Sequence, residues 1–235
     1  MSGLKQTFSS SVGAKTLMAF SGLGLVGFVI THMIGNLQVF AGPEKLNAYA
    51  KQLQDLGPLL WVARLGLLGL FVLHVGTAFR LVQANKAARP TPYVRKVEER
   101  TSFAARTMWM SGLIVLVFIL YHIAHFTLRV PVGAVDFTSA RYELPEHGHD
   151  VYRMVVIGFR VWWVSALYIV ASVLLGLHIS HGASSAFQTL GVRHARLAFL
   201  KHGFGPAIGA LIIIGNCSIP IAVLMGLVDV AGKGV

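Results

Sequence analysis

Five stretches of this chain carry no Asp, Glu, Lys or Arg, and their lengths constrain the fold more than any other feature. Thr16 to Pro43 is 28 residues without a charge, Leu65 to Phe79 is 15, Thr107 to Leu128 is 22, Val161 to Val192 is 32 and His202 to Val228 is 27. A helix crosses a bilayer core with about 20 apolar residues. Four runs meet that requirement directly. The second meets it by extending back past Arg64 to Pro58, with Arg64 near the end of the span and its guanidinium snorkelling to the interface. The reading is an all-α polytopic protein, a single membrane domain over residues 1–235. Its five transmembrane helices lie at about 16–41, 58–84, 104–129, 157–188 and 205–229. The first four are expected to form one bundle. Strands are not expected, because the runs are continuous rather than alternating and too long for a barrel. No internal repeat is apparent.

Local signals fit these limits. Gly42-Pro43 closes the first span, and Gly57-Pro58 opens the second with proline in its first turn. Arg89-Pro90-Thr91-Pro92 breaks the chain before the third, and Gly203, Gly205 and Pro206 mark the start of the fifth. The N-terminal run is too long for a signal-peptide core, so the first helix is expected to stay.

Charge sets the orientation. The chain is 12% charged with a net charge of +11, sparse for a soluble domain, where about a quarter of residues are charged. In so apolar a protein the excess of Lys and Arg points to membrane loops rather than to nucleic acid. The N-terminus, the second-to-third and the fourth-to-fifth connections hold 12 basic residues against two acidic ones; the opposite side holds six against seven. The positive-inside rule makes the N-terminus cytoplasmic and the C-terminus external. The single cysteine, Cys217, excludes a disulfide framework, a cysteine zinc site, an iron–sulfur cluster and covalent c-type haem on this chain.

Histidine is the functional signal. Six of ten histidines fall in spans: His32, His74, His122, His125, His178 and His181. No carboxylate shares those spans, so neutral imidazole ligation is their clearest service. The helix rise of about 1.5 Å per residue gives each a depth. His32 and His122 fall in the outer half of the membrane, His74 and His178 in the inner half, with the two pairs roughly 10 Å apart. Two bis-imidazole haems stacked in a four-helix bundle need this arrangement. Gly22, Gly24, Gly27, Gly66, Gly69, Gly76, Gly112 and Gly176 offer close approach for a flat macrocycle, or equally close helix packing. His125 and His181, three residues beyond His122 and His178, are read as hydrogen-bond partners of haem propionate or quinone, or as packing residues. A di-metal site from the two His-x-x-His segments is the rival, disfavoured by their different depths. His147, His149, His194 and His202 fall in loops and are read as solvated.

Four segments carry a resemblance. Gly24-Leu-Val-Gly-Phe-Val-Ile-Thr-His32-Met-Ile-Gly-Asn-Leu-Gln-Val-Phe40, Leu73-His74-Val-Gly-Thr-Ala-Phe79, Leu120-Tyr-His122-Ile-Ala-His125 and Leu177-His178-Ile-Ser-His181-Gly182 resemble the dihaem cytochrome b anchor of succinate:menaquinone oxidoreductases and quinol:fumarate reductases. The resemblance covers the first four helices. It implies two b haems, a proximal one on His74 and His178 and a distal one on His32 and His122. It also implies a menaquinone or other quinone, and a bacterial cytoplasmic membrane. Cytoplasmic flavoprotein and iron–sulfur subunits would carry FAD and the clusters, with a higher oligomer of the complex among the arrangements the resemblance allows. Gln54 and Asp55 stand where the family places a quinone partner, with Arg64 and His125 at similar depth. One departure is Gly176: some fumarate reductases of the family have a proton-transferring Glu there. Two alternatives stay open, an anchor of hydrogenase or formate dehydrogenase type and a haem-free transporter.

Overall fold

A computed structural model describes residues 10–88, 103–131, 137, 142–144, 148–192, 199 and 203–230. Helix α1 (Ser11–Asn36) starts at Ser10, whose hydroxyl accepts from the Gly13 amide at 3.0 Å, and runs on into a 3-10 turn, Leu37–Ala41. Gly42 then turns the chain with φ +95°, and α2 (Pro43–Asp55) follows with proline in its first turn. Gly57, at φ +53°, makes the second corner before α3 (Pro58–Ala87). Backbone of this kind favours glycine, which is why Gly-Pro pairs stand at both places. Helix α4 (Phe103–His122) passes into a π turn, Ile123–Thr127. A two-residue antiparallel ladder, β1 (Glu143–Leu144) with β2 (Gly148–His149), leads to α5 (Val151–Arg160), α6 (Trp162–Thr189) and α7 (Phe204–Leu224).

The described helices make an all-α fold, and five of them are long and apolar enough to cross a membrane: Ser11–Ala41, Pro58–Ala87, Arg106–Thr127, Trp162–Thr189 and Phe204–Leu224. The chain is a multi-pass membrane protein with five candidate spans. Large apolar side chains such as Phe20, Leu68, Val72, Val117 and Ile214 are exposed along them, as lipid contact requires. Trp61, Trp109, Trp162 and Trp163 are exposed near span ends, where aromatic rings settle at the interface. Arg64 lies over the Trp61 ring, 5.0 Å from its centroid.

Four features differ from the sequence-based expectation. Residues 43–55 are helical rather than loop. Residues 151–160 form a separate amphipathic helix, and α6 begins only at Trp162 after an extended Val161, so the expected start at 157 falls inside α5. The fifth span ends at Leu224, five residues early, where the chain turns through Gly226 at φ +73°. The short β-ladder was not expected at all.

Helices α2 and α5 cover one end of the molecule. Asn47, buried, donates to Asp150 Oδ1 at 3.0 Å and accepts from the Tyr152 amide at 3.0 Å, and Asp150 caps α5 by accepting from Arg153 N at 2.9 Å. Tyr152 donates to the Asp229 carbonyl at 2.9 Å, and Arg160 pairs with the Asp229 carboxylate. Beneath them Val39, Leu46, Tyr152, Val156, Ile219 and Val223 form the largest apolar cluster. Connections 89–102 and 193–198, which carry much of the basic charge, lie outside the described residues.

Helix α1 packs against α3 and α6, and α6 packs against α4 and most extensively against α7. Around the bundle the order is α3, α1, α6, α4, so α1 lies diagonal to α4 and α3 diagonal to α6. Among the described residues α3 buries only Thr77.

Candidate cofactor site between the helices

Both expected histidine pairs join diagonal helices. His32 on α1 meets His122 on α4 with ring centroids 5.8 Å apart and planes 86° apart. A metal–imidazole bond is about 2 Å, so rings at this separation would have room to hold one metal between them. His74 on α3 and His178 on α6 lie within electrostatic range of each other.

The His74–His178 pair is gripped the same way on both sides. Ser21 on α1 donates its one hydroxyl proton to the Leu17 carbonyl at 2.8 Å, leaving its oxygen to accept from His74 Nδ1 at 3.3 Å. Ser111 on α4 donates to the Met108 carbonyl at 3.0 Å and accepts from His178 Nδ1 at 3.2 Å. Each arrangement protonates Nδ1 and leaves Nε2 as the ring's lone pair, the form a metal ligand takes. The next residue in each case is glycine. A Cβ at Gly22 would stand 3.2 Å from His74 Cε1, and one at Gly112 3.3 Å from His178 Cε1. A side chain at either position would force the ring to shift by a few tenths of an ångström.

The sequence holds the signal for this repeated grip. Ser21-Gly22-Leu23 and Ser111-Gly112-Leu113 are the same tripeptide, and each stands eleven residues before a ligand candidate, His32 or His122. The tripeptide alone is not the signal, since Ser2-Gly3-Leu4 carries it too, with Gly13 rather than a histidine eleven residues on; the shared spacing to a histidine is what sets the other two apart.

His122 has a different partner. Tyr168 Oη lies 3.3 Å from His122 Nδ1 and 3.0 Å from His125 Nδ1. His125 is buried among Phe126, Phe137 and Tyr168 rather than turned to a solvent-facing groove. His32 stacks on Phe28 at 5.3 Å. His181 is half-buried on α6.

The glycines divide. Gly22 and Gly112 face histidines. Gly24 instead packs under Leu70, and Gly176 packs against α7, where a Cβ would meet the Gly209 carbonyl oxygen at 2.7 Å as well as Ile213. Gly69 is turned about 140° around α3 from His74 at 100° per residue, and a Cβ there meets nothing. Gly24 and Gly176 thus serve helix packing, and the space at Gly69 is open.

The polar residues at the α2–α3 corner have local partners: Asp55 pairs with Lys51 one turn earlier, Gln54 Oε1 approaches Gly148, and Arg64 covers Trp61. Asp55, Gln54 and Arg64 are exposed. His149, expected to be solvated, is instead tucked into the hairpin with its side chain 10% exposed. Arg129 donates to its Nδ1 at 3.0 Å, and burial holds its pKa below the usual 6.5. His147, His194 and His202 lie outside the described residues. No cluster of three or more metal-ligating side chains occurs among the described residues, so the two His-x-x-His segments do not converge.

The donor set fits b haem. It offers two imidazole pairs on opposite walls of a bundle, hydroxyls that fix the ring tautomers, glycines where the rings need room, and two flanking helices, α3 and α4, with few buried side chains. No protein family, curated protein or solved structure matches the chain.

Proposed function

We propose that this chain is the dihaem cytochrome b anchor of a succinate:menaquinone oxidoreductase or quinol:fumarate reductase. The observation that carries the reading is the pair of diagonal histidine couples, His32 with His122 and His74 with His178. Three of the four rings have Nδ1 engaged by a neighbouring hydroxyl. Bound b haem supplies reversible one-electron transfer. His74 and His178 hold the proximal group and His32 and His122 the distal one. Ser21 and Ser111 keep the proximal imidazoles in the ligating tautomer. Gly22 and Gly112 give those rings their place. The apolar walls exclude water, which tunes the potential of whatever is held between them.

The basic end faces the cytoplasm in this reading and docks the iron–sulfur and flavoprotein subunits, with anionic lipid around it. The end covered by α2 and α5 faces outward. A quinone meets the chain there, near Gln54, Asp55 and Arg64, where a carboxylate exchanges the proton that accompanies each electron. Gly176 supports the absence of a proton route through a carboxylate at that position, since Gly209 and Ile213 occupy the space a side chain would need.

The test is isolation of the complex through a tag on this chain. Two b haems, co-purifying flavin and iron–sulfur clusters, and succinate:quinone activity are the expected result. Haem without flavin would move the reading to a hydrogenase or formate dehydrogenase type of anchor. Absence of haem would leave a transporter.

A further inference from the structure

We infer that Tyr168 and His125 are positioning residues for His122, holding its ring with Nδ1 protonated and Nε2 bare. The inference rests on the reading of His32 and His122 as axial ligands and assigns a role to the second histidine of the His122-x-x-His125 segment. The Tyr168 hydroxyl has one proton and two imidazole neighbours, His122 Nδ1 at 3.3 Å and His125 Nδ1 at 3.0 Å. With no other hydrogen-bond partner among the described residues, its buried proton is satisfied only by donation to one ring while it accepts from the other. Donation to His122 would put the proton of that ring on Nε2 and abolish ligation there. Donation to His125 makes Tyr168 the acceptor for His122 Nδ1–H. The chain of donors then runs from His122 to Tyr168 to His125, and His125 is its terminal acceptor.

The surroundings enforce this order. Tyr168 is 6% exposed and His125 1%, so no solvent replaces either partner. The helix widens into its π turn at Ile123, directly after His122, and that turn delivers His125 to the same hydroxyl. Phe126 lies 4.0 Å from the His125 ring and Phe137 5.4 Å, fixing its plane. The contrast with the other pair is chemical. Ser21 and Ser111 end on backbone carbonyls, which cannot be mutated away; Tyr168 ends on a side chain, which can.

An acceptor on Nδ1–H makes an imidazole a stronger donor to its metal and favours the oxidised state. Loss of that acceptor raises the potential. In Tyr168→Phe the reduced-to-oxidised ratio of one haem at fixed ambient potential is expected to rise about three- to tenfold, tenfold being about 59 mV for one electron. The other haem stays unchanged, and pyridine haemochrome still counts two haems. His125→Leu shifts the same midpoint in the same direction. His125→Asn keeps an acceptor near the Nδ1 position and returns the midpoint close to wild type. The double variant Tyr168→Phe/His125→Leu shifts no further than Tyr168→Phe alone, because both lie on one chain.

The inference is overturned if Tyr168→Phe moves neither midpoint, or if His125→Asn moves it as far as His125→Leu. It is also overturned if the midpoint that moves belongs to the haem lost in His74→Ala. A Tyr168→Phe protein that does not fold leaves the His125→Asn and His125→Leu comparison to decide by the same criteria. Wild-type protein without haem overturns the functional reading and this inference together. Wild-type protein with two haems and a silent Tyr168→Phe overturns this inference alone.

Discussion

Replacing Gly176 by alanine tests the seam on which the α6–α7 packing and the missing carboxylate both depend. Alanine is the better helix former by up to about 1 kcal/mol, so propensity alone predicts stabilisation. The structure predicts the reverse. The added Cβ would stand 2.7 Å from the Gly209 carbonyl oxygen, and a Cβ at Gly209 would stand 2.5 Å from the Gly176 carbonyl oxygen, so the two backbones already touch. Ordinary contact needs about 3.5 Å, so the helices must part by about 0.8 Å, a gap that forfeits a quarter to a half of the dispersion well along the seam. Overpacking of this kind costs about 1–3 kcal/mol. After the propensity gain, the net loss reaches about 2 kcal/mol, or roughly 4–8 °C in a chain of this size. Cys217 supplies the assay. It is the only cysteine, buried, with Sγ 3.7 Å from the Ile169 carbonyl across the same seam. A fluorogenic thiol reagent therefore reports its opening during a thermal ramp in detergent. Gly69→Ala, where a Cβ meets nothing, is the control and is expected to hold or gain stability. Gly176→Glu should fail more severely, since it adds an unpaired buried carboxylate. A melting temperature for Gly176→Ala at or above both wild type and Gly69→Ala would refute the reasoning, as would a stable Gly176→Glu protein.

Three further outcomes are expected. Ser21→Ala or Ser111→Ala should weaken haem retention at the His74–His178 site by about 10–100-fold while the other site keeps its haem, measured by haem release to an apo-globin acceptor. Asn47→Ala should destabilise the cover formed by α2 and α5 by about 2–4 kcal/mol, because it deletes the bond to Asp150 and strands the buried Tyr152 amide; thermal unfolding measures it. Burial keeps His149 neutral below its usual pKa of 6.5, so the undocked hairpin takes up a proton that the docked one refuses. Docking is therefore fully stable above about pH 6.5 and weakens as pH falls below it. Hydrogen exchange at residues 142–150, corrected for intrinsic rates, should show this, and His149→Gln should remove the pH dependence.

The spans were legible because lipid excludes charge, and the depth arithmetic worked because helix rise is constant: His32 and His122 do meet. Helices α2 and α5 were not legible by the same test. Both carry charges, Glu44 and Lys51 on one and Arg153 and Arg160 on the other, so a search for charge-free runs passes over them. The break at Val161 falls at the first residue of a charge-free run, directly after Arg160, so the run itself marked it and the expected start at 157 reached back across that mark. Which glycines face a ring and which face a helix depends on rotation about the axis, which the spacing of Gly24, Gly69 and Gly176 did not disclose. The serine grip was partly legible. One serine in a span carries no information, and neither does Ser-Gly-Leu alone, which also stands at Ser2-Gly3-Leu4; only its common distance from His32 and His122 marks the two copies inside spans.

The most direct measurement is the haem content of the purified chain by pyridine haemochrome against protein concentration, in wild type and in six single histidine-to-alanine variants. The account predicts two haems per chain in wild type, one in His74→Ala and His178→Ala, and the other one in His32→Ala and His122→Ala. It predicts two in His125→Ala and His181→Ala, with only the former altering a midpoint. A wild-type value near zero contradicts it. So does His125→Ala losing a haem while His122→Ala keeps both.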